Sequence, residues 1–245
     1  MVPTEADGSA RRLAGRSVCL RVMRRARLVA LVALVSVGAV TAAGCGGGGS
    51  SSSPSTLPAT PGQSKASVFN DPALFVLDET DLPDGYVVDV PNTRPITNAD
   101  TAKGHDNAYL RNIESRGRIS GYASGWRLTK AQVAGPLQIE SRASTFETVG
   151  GAIDTFTQGL GEISPKYRRV DMTDTVGDES RMWTLSLEGA NGPLTIFSVA
   201  WRSGRVLGTL STTSQAGTGS ADDALAYAQK QERRIEAAAA KAPAK

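Results

Sequence analysis

Reactive side chains are scarce in this 245-residue sequence. Its single histidine is His105, beside Asp106, and its two cysteines are Cys19 and Cys45. That inventory is too small for a Cys/His zinc site, and Cys45 is claimed below for another role. A serine hydrolase would have to take His105 as its base, yet no Gly-x-Ser-x-Gly elbow presents a nucleophile. His105 is therefore expected on the surface of a helix. Asp78, Glu79, Asp81 and Asp84 form an acidic cluster, but Leu82 and Pro83 interrupt the alternate oxygen ligands that a calcium loop needs. Around Leu-Pro-Asp-Gly such acids act as turn formers. No glycine-rich phosphate loop follows a strand, so neither a metal nor a cofactor is expected.

Aromatic residues are the remaining candidates for ligand contact: Trp126, Tyr122 and Trp201, with Trp183 as a third indole. Exposed aromatic rings stack on sugars or enclose apolar ligands. The competing reading is that tryptophans in strands cover the core. Trp126 is the first choice for a ligand contact, because Gly121, Gly125 and Arg127 beside it would leave one face open.

Cys45 has the most specific context in the chain. Arg21–Arg27 (RVMRRAR) is a basic cluster, Leu28–Val40 is thirteen residues of apolar sequence, and Thr41-Ala42-Ala43-Gly44-Cys45 closes the run with small residues. Basic, apolar and small-residue regions in that order make a secretory signal. The small-small-Cys ending resembles the bacterial lipobox, which implies diacylglyceryl transfer to the Cys45 thiol and cleavage after Gly44. Ala42 departs from the resemblance, since a larger aliphatic is preferred there. An uncleaved span is the alternative, but Leu28–Gly44 is at the short limit for crossing about 30 Å of hydrocarbon. Two acyl chains give stable anchoring where one gives only marginal binding. Met23 opens a more usual leader (MRRARLVALV), so translation is expected to start there.

Charge distribution excludes a nucleic-acid partner. Residues 1–45 carry seven arginines against Glu5 and Asp7, which leaves 20 basic and 22 acidic residues from Gly46 onward. A phosphate-binding surface needs clustered cations, and here the signs are interspersed. The apparent pI near 9.0 belongs to the leader.

The elements that must position any site lie beyond a Gly/Ser/Pro-rich stretch. Four regions are expected: a signal peptide at 1–44, the lipidated cysteine and tether at 45–66, one domain at 67–240, and a frayed tail at 241–245. The tether reaches about 25 Å as a flexible coil. Within the domain, Gly85–Val90 reads as a strand, and Thr97-x-x-Asp100 caps a helix running to about Arg116. Arg118–Thr129 and Leu137–Phe146 read as strands. Val149, Ala152, Ile153, Phe156 and Leu160 form a helical stripe. Tyr167–Met172, Arg181–Leu187, Leu194–Trp201 and Arg205–Thr212 follow as a meander, with Leu194–Trp201 central because both its faces are apolar. Ser220 caps a last helix whose inner stripe is Leu225, Ala228, Glu232 and Ile235. Runs of strands separated by helices argue for an α+β class, an antiparallel sheet with its helices on one face.

Asp81-Leu82-Pro83-Asp84-Gly85-Tyr86 resembles the leucine-proline-x-glycine-aromatic opening of small actinobacterial lipoproteins and extracellular sensor-like domains. Gly117–Trp126, Ile139–Phe156, Val176-Gly177-Asp178-Glu179 and Val199–Val206 are similar to their later segments, so the resemblance spans roughly 75–236. It implies a curved antiparallel sheet in a PsbP/Mog1-like α-β-α sandwich and transfers no catalytic motif. The functional expectation is a membrane-anchored extracytoplasmic lipoprotein whose domain binds or senses an apolar ligand, a glycan or an envelope protein without catalysis. The alternatives are a metal-free glycan hydrolase and a purely structural envelope protein.

Overall fold

The computed structural model describes residues 68–129 and 135–241. The expected leader, the cleavage position Gly44, the lipid site Cys45 and the tether lie outside the described residues. The described elements are β1 (Tyr86–Val88), β2 (Arg94–Ile96), α1 (Asn98–Thr101), α2 (Asn107–Ser115), β3 (Arg118–Leu128), β4 (Gln138–Phe146) and α3 (Val149–Gly161). They continue with β5 (Arg168–Val170), β6 (Glu179–Gly189), β7 (Gly192–Ser203), β8 (Val206–Gln215) and α4 (Ala221–Ala239).

All eight strands join one antiparallel sheet in the order β1-β3-β4-β8-β7-β6-β5, with β2 also paired to β3. The class is α+β. The two-residue connections at Ala190-Asn191 and Gly204-Arg205 hold β6, β7 and β8 in a meander, and Gly204 takes the left-handed φ of 54° that such a tight turn favours. As expected from its two apolar faces, β7 is interior, lying between β8 and β6.

Helices cover both faces of the sheet, not one. Residues alternate across a strand, so Trp126, Ile139, Ala143, Leu210, Val199, Trp201 and Met182 share the first face and form the main core with Phe75, Leu77, Leu225, Ala228 and Ile235. That face is closed by α4 and by the 3-10 turn Pro72–Phe75. Two buried serines fasten the segment after this turn. Ser141 Oγ accepts from the Leu77 N–H at 3.0 Å, and Ser124 Oγ donates to the Leu77 carbonyl at 2.8 Å. A backbone segment can cross a core only when its polar groups are met in this way.

Since α4 occupies the first face over β7 and β8, α3, which packs on β4, β7 and β8, lies on the second. Ile113 of α2, Ala123, Phe146, Ala152 and Phe156 are buried on that side. The α3 stripe is rotated from the sequence expectation. Ala152, Phe156 and Gly159 face inward, while Val149 and Ile153 sit on the rim at 45% and 40% exposure. Gly151 explains the rotation, because a Cβ there would run into the Arg116 carbonyl at the end of α2. The expected helix from Thr97 to Arg116 is two helices. Thr97 and Asp100 form the capping box of α1, and Asp106 caps α2. Between them Gly104 has a φ of +87°. That left-handed conformation ends the first helix.

Candidate functional site

The aromatic candidates belong to the packing of the first face. Trp126 is 5% exposed and its Nε1 donates to Ser124 Oγ at 3.3 Å. Trp201 is fully buried and its Nε1 donates to Glu232 Oε2 at 2.6 Å. Tyr122 is half-buried against the same core. The expected open face at Trp126 is therefore corrected. The glycines beside it, Gly121 and Gly125, point to the opposite side of β3, and the space over Gly125 is filled by Asn92 and Asp89 from the 3-10 turn between β1 and β2. A Cβ on Gly125 would lie 2.7 Å from Asn92 Cβ.

His105 stacks on Tyr109 with ring centroids 4.0 Å apart. Two members of the acidic cluster have structural roles. Asp78 and Asp81 form a capping box, and Arg234 reaches both, at 2.7 Å and 3.1 Å. The Asp78 carboxyl is held below its ordinary range by hydrogen bonds from Thr80 and by Arg234, which together outweigh the opposing effect of its burial. Among the described residues, no group of three or more His, Cys, Asp or Glu side chains is placed to hold a metal.

Polar side chains gather on the second face in already-partnered sets. Asp89 accepts from Asn92 Nδ2 at 2.7 Å and pairs with Arg127 at 3.3 Å. Glu140, the cross-strand partner of Gly125, pairs with Arg142. Ser198 and Ser211, neighbours across β7 and β8, share a 2.9 Å hydroxyl contact. Arg118 is buried and donates to Asn98 Oδ1, Ser144 Oγ and the Ile96 carbonyl, and burial lowers its pKa to about 10.

One cleft differs from these sets. The pairing of β5 with β6 stops at Val170 opposite Met182, and the chain then swings away through Asp171–Thr175. It returns at Val176, whose N–H donates to Ser180 Oγ at 3.0 Å, and at Asp178, whose N–H donates to the Arg202 carbonyl at 2.8 Å. The gap between the departing chain and β6 is a half-open cleft of about 420 Å³. Arg169, Arg181, Asp171 and Asp174 line it, with Thr173 and Thr175 between them and Met172 and Met182 as apolar members. None of the ion pairs among the described residues involves these four charged groups. Sequence reasoning passed over this cleft. Its only trace there is an Asp/Thr-rich stretch, Asp171–Thr175, between two arginines.

No family model matches the chain, and no curated protein matches it. Among solved structures, the extracellular domain of PknH from Mycobacterium tuberculosis aligns with 67% of this chain and 94% of its own, at 8% identity and a TM-score of 0.43. Among the described residues, no helix is long and apolar enough to cross a membrane.

Proposed function

We propose that this protein is an extracytoplasmic lipoprotein held at a membrane through Cys45. Its α+β domain is a non-catalytic binding or sensor module for an envelope ligand, and the cleft between β6 and the Asp171–Thr175 segment is the ligand site. The observation that carries the address is the order of segments before the domain: an arginine cluster, thirteen apolar residues, small residues, Cys45 and a Gly/Ser/Pro-rich stretch. The cleft is the choice of site because it gathers two arginines and two aspartates, none of them in an ion pair, around one space of about 420 Å³. Helices on both faces of the sheet support the α-β-α sandwich that the PsbP/Mog1-like resemblance implies.

The hydrolase alternative needs a carboxylic acid held protonated next to its substrate. Glu232 has a raised pKa, but it lies in the core against Trp201 and cannot meet a glycan. The test is retention of envelope material by purified full-length protein, scored for lipid, glycan and protein against the Arg169→Gln and Asp174→Asn variants. Enrichment of one component by the native protein and its loss in both variants is the expected result. Equal retention by all three proteins, or none by any, contradicts the assignment of the cleft.

A further inference from the structure

Several opposite charges in this domain pair directly. Arg202 binds Glu179 at 2.8 Å and also Asp178, Arg127 binds Asp89, Arg142 binds Glu140, and Arg234 spans Asp78 and Asp81. The cleft beside β5 gathers both signs in one space without such pairing. Two arginines and two aspartates line one space of about 420 Å³, and no pair among them comes within ion-pair distance.

We propose that this cleft binds a zwitterion of the amino-acid type, a free amino acid or a short peptide with both termini charged. The inference rests on reading the cleft as the ligand site. The ligand's carboxylate goes to Arg169 and Arg181, and its ammonium to Asp171 and Asp174. Guanidinium groups present a planar fork that matches a carboxylate. Arg181 spends one Nη1 hydrogen on the Ser180 carbonyl at 2.7 Å, and its remaining N–H groups have no hydrogen-bond partner among the described residues. A simple anion would satisfy the arginines but meet the aspartates, and a simple cation would do the reverse. Only a ligand carrying both signs answers all four groups. The volume lies within the range of small-molecule pockets and is ample for a dipeptide. Thr173 and Thr175 offer hydroxyls for its amide. The wall is also held in place before any ligand arrives, by Val176 N–H on Ser180 and Asp178 N–H on the Arg202 carbonyl. A pre-ordered wall lowers the entropic cost of binding.

The test uses full-length protein in detergent micelles and follows backbone amide shifts on titration with alanyl-alanine, N-acetyl-alanine and alaninamide. Alanyl-alanine is expected to shift amides of residues 169–182 saturably. The two blocked compounds, each lacking one charge, should bind at least about tenfold more weakly, the order of one charge-assisted hydrogen bond. Arg169 is an exposed side chain of β5 and Asp174 an exposed residue of the segment after it, so Arg169→Gln and Asp174→Asn should spare the fold, and each should weaken the dipeptide several-fold. Equal binding of the blocked compounds overturns the inference, as does a dipeptide that never saturates. If envelope material still requires Arg169 and Asp174 while the dipeptide fails, the zwitterion inference falls and the binding-module reading stands. If neither binds there, both fall.

Discussion

The Nε1 of Trp201 donates a 2.6 Å hydrogen bond to Glu232 Oε2, joining β7 to α4 inside the core. Burial raises the pKa of Glu232, and the hydrogen bonds from Ser203 and Trp201 offset only part of that rise. The folded chain therefore holds this proton more tightly than the unfolded chain. The resulting stability is complete below the ordinary glutamate value and is lost as pH rises through the higher folded value. Melting temperature measured from acid to neutral pH should fall more steeply in the native protein than in Glu232→Gln, which keeps an acceptor for Trp201 and has no proton to lose. Parallel curves would contradict this. Glu232→Ala orphans the buried indole N–H and should cost about 1–3 kcal/mol at any pH.

Gly208 is needed because the Trp201 ring lies across it from the neighbouring strand, where a Cβ would strike the indole carbons. Gly208→Ala should destabilise the domain by about 1–3 kcal/mol through overpacking. Trp201→Leu removes the obstacle along with much core contact. The double variant should therefore be more stable than the sum of the single losses predicts. Additive losses in denaturant unfolding would show that the two residues do not meet.

Arg118 is a buried cation satisfied by neutral oxygens, Asn98 Oδ1 at 2.7 Å, Ser144 Oγ at 3.1 Å and the Ile96 carbonyl at 3.3 Å. It ties α1, β2, β3 and β4 together. Arg118→Met leaves these acceptors unmet and should cost about 2–4 kcal/mol in urea unfolding. Arg118→Lys should recover only part, since an ammonium cannot reproduce the fork. Full recovery by lysine would contradict the described geometry.

These contacts also show what was legible before the fold was known. Local signals were readable: the caps at Thr97 and Ser220, and the inner stripe of α4 through Leu225, Ala228, Glu232 and Ile235. Each depends on residues within a few positions of one another. What failed depends on distant partners. Strand alternation places Trp126 and Trp201 on one face, but only the packing of α4 and of Phe75–Leu77 shows that this face is closed. β2 escaped notice because Arg94-Pro95-Ile96 has no strand pattern of its own and is held in the sheet by pairing with Gly121–Ala123. The cleft was hidden for the same reason. It exists because β5 leaves β6 after three pairs, and nothing in Asp171–Thr175 announces where the chain goes next.

A lipid-anchored module carries its anchor on the mature N-terminal peptide, so the mass of that peptide is the decisive measurement. The protein is recovered from the membrane fraction of a bacterium with a lipoprotein pathway, and the peptide is compared with that of the Cys45→Ser variant. The native peptide is expected to begin at Cys45 and to carry a diacylglyceryl group on the thiol, and the variant is expected to show an unmodified, uncleaved leader in its place. A native peptide that retains the residues before Cys45, or a variant with the same membrane recovery and the same lipid mass, would contradict lipid anchoring at Cys45.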